Sequence, residues 1–135
     1  VTGSHEEVFG RGMTNQADHR AAGLAVLDAA RDAGNRWIFR ELTEQEGLEP
    51  WGGVHSVLMA GSAHPTHYVD VTGHLEPAGA SLEAHHYYNT NLPDDFPKPR
   101  ELVTWILTMG AEGVANSPDA PAGIEHAVTV RRYAV

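Results

Sequence analysis

The stretch that decides the fold is residues 15–34, NQADHRAAGLAVLDAARDAG. Its apolar and small side chains recur at steps of three and four residues, at Gly23, Val26, Leu27 and Ala30. One apolar stripe forms when such a segment turns every 3.6 residues, so the spacing predicts a helix. We expect Thr14 or Asn15 to cap its start and Gly34 to end it.

The first turn of this predicted helix carries the polar residues Asp18 and His19. A first turn offers unpaired backbone N–H groups and a partial positive charge, which favour carboxylates and anionic ligands or intermediates. The small residues Ala21, Ala22, Gly23 and Ala25 predict a close approach of the helix to a sheet. If the protein has an active site, this segment is where we expect it.

The other segments predict an α/β layered domain. Residues 54–61 and 68–71 have strand patterns, residues 76–92 and 100–109 have helical patterns, and residues 124–135 alternate as a terminal strand. Residues 1–16 indicate a strand end followed by a loop, 36–42 a brief strand or irregular arm, and 43–53 a loop. Parallel sheets are built from successive βαβ units, but this sequence opens on a loop and a helix. We therefore expect residues 1–135 to be the C-terminal portion of one domain.

The composition excludes several classes of function. Nine Lys and Arg against eighteen Asp and Glu give a formal charge of −9, which disfavours nucleic acid and anionic membrane surfaces. The chain contains no run of apolar residues long enough for a membrane span, and its start lacks a signal-peptide pattern. With no cysteine, a metal would bind through His, Asp or Glu, and we expect a cytoplasmic protein.

Residues 15–23, Asn-Gln-Ala-Asp-His-Arg-Ala-Ala-Gly, resemble the second signature of the PIG-L (LmbE-like) zinc-dependent N-deacetylases, His-x-Asp-His at the start of a helix. The similarity continues through residues 47–51 (GLEPW), 68–72 (YVDVT) and 81–85 (SLEAH), in that order. It covers most of the chain from Gly3 to about Leu107. The resemblance implies a three-layer, Rossmann-like sheet with flanking helices.

The resemblance also implies roles for single residues. His19 matches a zinc ligand of the family, and Asp18 matches the aspartate that tunes the neighbouring catalytic histidine. Gln16 occupies the position of that histidine, which stabilises the oxyanion of the tetrahedral intermediate. Glutamine can donate a hydrogen bond to an oxyanion but cannot carry a proton charge. His5 or His85 is a candidate substitute for the missing acid.

Two further residues are predicted to bind substrate. Asn15 opens the signature, and His85 lies in the fourth matching segment, where it either faces the cleft or caps the core. The implied substrate is a small N-acetylated molecule, an amino sugar or a related amide. The oligomeric state is left open, with a homo-oligomer among the alternatives.

One part of the family pattern has no match in this chain. The first signature, Ala-His-Pro-Asp-Asp-Glu, supplies two zinc ligands and the general base. Residues 63–65 repeat its first three letters, but Thr66 and His67 stand where aspartates are required. Because catalytic zinc needs about three protein ligands, His19 alone cannot hold the metal. We expect the chain to be inactive without an N-terminal half of the same protein.

Two alternatives compete with this interpretation. Separate metal sites can be drawn from His5 with Glu6 and Glu7, from His64 with His67, or from His85 with His86, although neighbouring histidines on a helix point in different directions. The second alternative is a non-catalytic binding or scaffold domain that keeps the fold without a metal site.

Overall fold

The structure is a computed structural model that describes residues 1–9 and 12–135. The strands are β1 (Thr2–Gly3), β2 (Val8–Phe9), β3 (Met13–Thr14), β4 (Ser56–Ala60), β5 (His67–Asp70) and β6 (Ala127–Ala134). The helices are α1 (Ala17–Asp32), α2 (Arg40–Glu46), α3 (Leu75–Glu83), α4 (His86–Asn89) and α5 (Pro99–Ala115). The chain divides into two compact units, residues 1–67 with 130–135, and residues 68–129.

The first unit is built on a mixed sheet. Strand β1 runs parallel to β4, with Thr2 opposite Met59, and β4 runs antiparallel to β6, with Ala60 opposite Val130. Because α1 lies between two parallel strands in the chain, β1, α1 and β4 form a βαβ unit. The prediction of an α/β fold is confirmed at this level.

Alternation along β4 supplies the buried side chains of this unit. Val57 and Met59 are buried, whereas Leu58 between them is only half-buried, as the two-residue period of a strand requires. Val130 of β6 is also buried. The strand predicted within residues 54–61 is therefore confirmed as β4, and the structure adds that only one of its faces is buried.

Helix α1 is confirmed, but its predicted ends are wrong. It begins after Gln16, which has an extended backbone and makes no side-chain cap, and it ends before Ala33, which is still right-handed. Of the predicted stripe, Gly23 is buried and Leu27 and Ala30 are half-buried, whereas Val26 is exposed.

Gly23 explains how α1 reaches the sheet. A Cβ atom at this position would lie 2.7 Å from the carbonyl oxygen of Gly3 and 2.8 Å from the backbone nitrogen of His5. A side chain larger than hydrogen would push the helix away from the end of β1. The predicted close approach of helix and sheet is confirmed at this residue.

Helix α2 corrects the prediction of an irregular arm and a loop. Arg40 and Glu44, four residues apart, form an ion pair of 2.6 Å on its surface. Gly47 ends the helix in the left-handed conformation, with φ of 68°. Most residues of the segment RELTEQE favour helices, and that signal was stronger than the short apolar alternation before it.

The described part of residues 1–16 contains short strands where a loop was predicted. The strand end is confirmed as β1, and β2 pairs with β3 in an antiparallel hairpin. Residues 10 and 11 of the predicted loop lie outside the described residues. Across the described ranges, no helix is both long and apolar enough to cross a bilayer.

The second unit is organised by the packing of α3 against α5. The guanidinium of Arg100 on α5 donates to Glu76 at 2.6 Å and to Glu83 at 2.8 Å, both on α3. The buried core of the unit contains Ala111, Val114 and Ala127, with Ile124 packed against them. In this unit the backbone N–H of Val71, just after β5, donates to the carbonyl of His126, just before β6.

Two helix boundaries of the second unit differ from the predictions. The helix predicted over residues 76–92 is interrupted, because α3 ends at Glu83 and α4 starts only at His86. Helix α5 continues past Gly110 to Ala115. Gly110 is therefore not a stop signal. A Cβ there would overlap the carbonyl oxygen of Ala127, so the glycine lets α5 pack closely against the start of β6.

Two glycines of α5 offer a matched test of this packing. Gly110→Ala should lower the free energy of unfolding by about 1–3 kcal/mol because of the overlap with Ala127. Gly113→Ala should raise it by up to about 1 kcal/mol, since nothing lies within 4 Å of that Cβ and alanine favours helix. Urea unfolding measures both, and equal effects would contradict the packing of α5 described here.

Candidate functional site

The predicted site residues of the first unit lie where α/β sheets bind ligands. Strands β1 and β4 are parallel, so their carboxyl ends meet at one edge of the sheet. Ser4, His5 and Glu6 follow β1, and Ser62 and Ala63 follow β4. The start of α1 is hydrogen-bonded to the first of these loops, so Asp18 and His19 lie at the same edge.

Asn15 connects the start of α1 to the loop after β1. Its side chain is buried, and its amide nitrogen donates to the carbonyls of Ser4 at 2.7 Å and Glu6 at 3.0 Å. Its backbone N–H donates to the carbonyl of Glu7 at 2.8 Å, and its own carbonyl accepts from Arg20. Asn15 therefore bonds to the loop through its amide nitrogen, and the N-cap position of α1 is taken by Gln16 instead. No contact tests its predicted role in substrate binding.

Gln16, Asp18 and His19 have exposed side chains. Gln16 directly precedes the helix, and Asp18 and His19 lie in its first turn, as the sequence predicts. All three are therefore accessible to a ligand at the positive end of the helix. Their predicted chemical roles depend on groups that the described residues do not supply.

Glu6 is the most highly connected side chain at this edge. It is 14% exposed, and its carboxylate accepts from the hydroxyl of Ser62 at 3.0 Å and the backbone N–H of Ala63 at 2.8 Å. Arg131 of β6 adds an ion pair of 2.9 Å. One carboxylate thus joins the loop after β1 to the loop after β4 and to the neighbouring strand.

The surroundings of Glu6 favour its ionised form. Burial is the largest single influence and would raise the pKa of Glu6. The hydrogen bonds from Ala63, Ser62 and Arg131, with the positive charge of Arg131, together outweigh burial and hold the pKa below its ordinary value. Glu6 is therefore a carboxylate at neutral pH.

His5 packs against the sheet. Its ring nitrogen Nδ1 lies 3.1 Å from the sulfur of Met59, and its ring meets that of Tyr133 edge-on at 5.8 Å. The guanidinium of Arg131 lies 5.2 Å from the centre of the Tyr133 ring. The ring is half-buried, so His5 is not a fully solvated residue of the loop predicted after the first strand.

His85 belongs to the second unit. It is exposed and directly precedes α4, where its carbonyl accepts from the backbone N–H of Asn89 at 2.9 Å. Its predicted role in substrate binding, or as a substitute acid, stays a prediction.

Asp70 of the same unit accepts from the backbone N–H of Thr72 at 2.9 Å, and the bonds from Thr72 lower the pKa of Asp70.

The described residues do not by themselves form a metal site. Within the described ranges, no group of three or more His, Cys, Asp or Glu side chains is arranged to hold a metal ion. Catalytic zinc needs about three protein ligands, so these residues do not form a complete site. His19 can contribute one exposed imidazole to a site that other residues complete.

A hollow of about 550 Å³ occupies the other end of α1 in the first unit. Asp32, Trp37 and Val54 are among its lining residues. Asp18 and His19 lie at the N-terminal end of the helix, away from this hollow. The predicted site residues and this concave surface are therefore separate features.

No model of a known protein family matches the chain, and no curated protein sequence matches it either. The resemblance to the PIG-L deacetylases rests on the four sequence segments alone.

Ser62 and Arg131 were not anticipated from the sequence. Ser62 is 56 residues from Glu6, and Arg131 is 125 residues away, so no local pattern connects them. The sequence indicates His5 and Glu6 only as possible metal donors. Only the pairing of β4 with β1 and β6 shows that Glu6 has protein partners.

Asn15→Ala should lower the free energy of unfolding by about 1–3 kcal/mol, because the buried carbonyls of Ser4 and Glu6 lose their donor. The matched control is Asn91→Ala. Asn91 also donates to a carbonyl, that of Tyr87, but it is exposed and should change stability by less than about 0.5 kcal/mol. Denaturant unfolding compares the two, and similar losses would show that Asn15 is not a buried connection.

Glu6→Gln should have an effect on stability that depends on pH. Because the folded pKa of Glu6 lies below its unfolded value, the carboxylate stabilises the fold above the unfolded pKa, and this stabilisation is lost as pH falls through the folded pKa. The difference in unfolding free energy between wild type and variant should therefore shrink from pH 7 to about pH 3. Glu7→Gln, at an exposed neighbour, is the control, and a constant difference for Glu6→Gln would contradict the prediction.

Proposed function

We propose that the chain is the C-terminal portion of a zinc-dependent N-deacetylase of the PIG-L (LmbE-like) type, with a Rossmann-like sheet. This hydrolase removes an acetyl group from an N-acetylated amino sugar or a related amide. The observation that carries the proposal is the exposure of Asp18 and His19 in the first turn of α1, at the carboxyl ends of parallel β1 and β4. Ligands of α/β sheets bind at this edge.

His19 is the metal-binding residue of this chain in the proposal. Its exposed imidazole is one zinc ligand, and an N-terminal half of the same protein supplies a second His and an Asp. Bound zinc lowers the pKa of a coordinated water to about 7 and so supplies a nucleophile for the amide carbon. In this proposal the chain alone is inactive.

The residues around His19 act on the substrate carbonyl. The side-chain amide of Gln16 donates a hydrogen bond to the carbonyl oxygen as negative charge develops on it. The free N–H groups at the start of α1 and the positive end of its dipole favour the same charge. Asp18 orients its neighbours in the first turn. A different group protonates the leaving amine, since Gln16 cannot.

Exposed apolar side chains in the first unit support the need for a further segment. Leu24 is 51% exposed, Trp37 77% and Trp51 62%. Large exposed aromatic and aliphatic side chains are the residue types that interaction sites use where they adjoin one another. We propose that the N-terminal half adds to the sheet beside β1, which brings its ligands next to His19.

The remaining properties follow from the composition. The charge of −9 favours a small-molecule substrate over nucleic acid. The absence of cysteine from the sequence fits a cytoplasmic enzyme.

The decisive experiment uses the protein expressed with its upstream sequence. His19→Ala should lower bound zinc sharply and reduce deacetylation of N-acetylated amino sugars by at least about a hundredfold, because a metal ligand is lost. His67→Ala is the matched control, since His67 is an exposed histidine of the same unit that contacts Thr66. Metal analysis and amine release measure the two effects.

The competing interpretation has its own outcome. Unchanged zinc content in His19→Ala, or no deacetylation by the wild type with any N-acetylated sugar, would reject the deacetylase. A non-catalytic binding or scaffold domain would then be the better description.

A further inference from the structure

Residues 37–51 of the first unit, which we call the arm, leave the end of α1 and return to it. The backbone N–H of Trp51 donates to the carbonyl of Ala33 at 2.7 Å. A Cβ atom on Gly34 would lie 3.4 Å from the Cα of Gly52, so the two ends of the segment are close together. The arm is therefore a closed loop that carries α2, and compact loops of this kind frequently have a function.

The arm presents large apolar side chains to solvent. Phe39 is 60% exposed, Leu42 39% and Leu48 55%. The carbonyl of Phe39 accepts from the N–H of Leu42 at 3.0 Å, and the carbonyl of Leu42 accepts from the N–H of Leu48 at 3.1 Å, so these residues belong to one tightly bonded segment. No residue of α2 is buried, and a helix of seven residues is too short to be stable without packing. The arm thus lacks a covering surface within its own protomer.

The backbone of Phe39 is strained. Its φ is 50° and its ψ is 40°, and among the described residues it is the only one other than glycine with a positive φ. A bulky side chain is an outlier in this left-handed region, whereas glycine adopts it readily. Because most of the ring is exposed, packing within the protomer does not offset the strain. Strained residues of this kind cluster at functional sites.

The charged side chains of the arm are mainly acidic. Arg40 forms its ion pair with Glu44. The other three glutamates are exposed, and within the described residues they have no cationic partner: Glu41, Glu46 and Glu49. A surface that complements the arm is therefore concave, partly apolar and basic.

The hollow at the C-terminal end of α1 has these properties. It measures about 550 Å³, and Trp37 and Val54 contribute apolar lining. Its charged lining side chains are Arg31, Arg36 and Asp32, so cations exceed anions. Both arginines are exposed and have no carboxylate partner in the part of the chain that the structure describes. A guanidinium offers paired donors that match a carboxylate, and Arg and Trp are enriched among the residues that dominate binding energy.

We propose that a second copy of this chain binds here, with the arm of one protomer in the hollow of its partner. Both surfaces belong to the first unit of the same chain, so the exchange is reciprocal and the dimer has twofold symmetry. The apolar side chains of the arm cover the hollow, and its free glutamates pair with Arg31 and Arg36. The dimer is independent of the proposed deacetylase activity, because it uses no residue of the predicted site.

The first test is the oligomeric state of the chain of residues 1–135. Sedimentation velocity over a wide range of protein concentration should show a monomer that converts to a dimer as the concentration rises. A chain that stays monomeric up to about 1 mM overturns the proposal.

The second test reverses the charges of each surface. One variant combines Arg31→Glu with Arg36→Glu, and the other combines Glu41→Lys, Glu46→Lys and Glu49→Lys. Each variant alone opposes like charges and should dimerise at least about a hundredfold more weakly. An equal mixture should recover the dimer, because both hollows of the mixed dimer then face arms of opposite charge. Unchanged dimerisation of either variant, or no recovery in the mixture, overturns the proposal.

A control separates these contacts from the total charge. Asp94→Lys, Asp95→Lys and Asp119→Lys together change the net charge as much as the arm variant does, at exposed positions of the second unit. Dimerisation of this variant should match the wild type. A loss equal to that of the arm variant would overturn the proposal, because the arm would then have no specific role.

Phe39→Gly separates binding from folding. At a concentration where the chain is monomeric, its unfolding midpoint should equal or exceed that of the wild type, because glycine relieves the strained backbone. Its dimerisation should weaken by at least about tenfold, because a central apolar contact is lost. A lower midpoint with unchanged dimerisation would place the role of Phe39 inside the protomer and overturn its part in the interface.

Discussion

The first unit depends on the partly buried carboxylate of Glu6, which needs hydrogen-bond donors from the loop after β4 and from strand β6. A carboxylate that is only 14% exposed is costly to bury unless donors replace the lost water. Glu6 obtains them from Ser62, Ala63 and Arg131. The loop after β1, the loop after β4 and strand β6 must therefore stay together to supply the donors that replace water around this carboxylate, and the start of α1 is attached to the same loop by Asn15.

Close packing imposes the second constraint, and glycines meet it in each unit separately. Gly23 lets α1 approach the backbone after β1 in the first unit, and Gly110 lets α5 approach Ala127 in the second. Both residues occur inside helices, where glycine is intrinsically unfavourable. The space gained for the backbone outweighs this local cost. For the proposed site, the approach at Gly23 matters most, because it sets how near His19 can lie to the carboxyl ends of β1 and β4.

The sequence predicted elements well where one local period dominated. The three- and four-residue repeat in α1 and the short apolar run in β4 were sufficient, because both patterns act within one segment. Helix α2 was not predicted, because the apolar alternation at Trp37 and Phe39 indicates a strand. The helix-forming residues come directly after it. The end of α5 was misplaced because a glycine was interpreted as a stop, although its neighbour in space, Ala127, explains it.

The sequence alone determined that Asp18 and His19 would lie in the first turn of a helix, since periodicity and end signals act over a few residues. Only the tertiary structure decided that Asn15 is a buried connection and that Glu6 has its partners 56 and 125 residues away. Desolvation and long-range hydrogen bonding exist only once the strands have paired. Helix α1 (Ala17–Asp32) is thus a local property of the chain, while its placement at the edge of the sheet is a property of the fold.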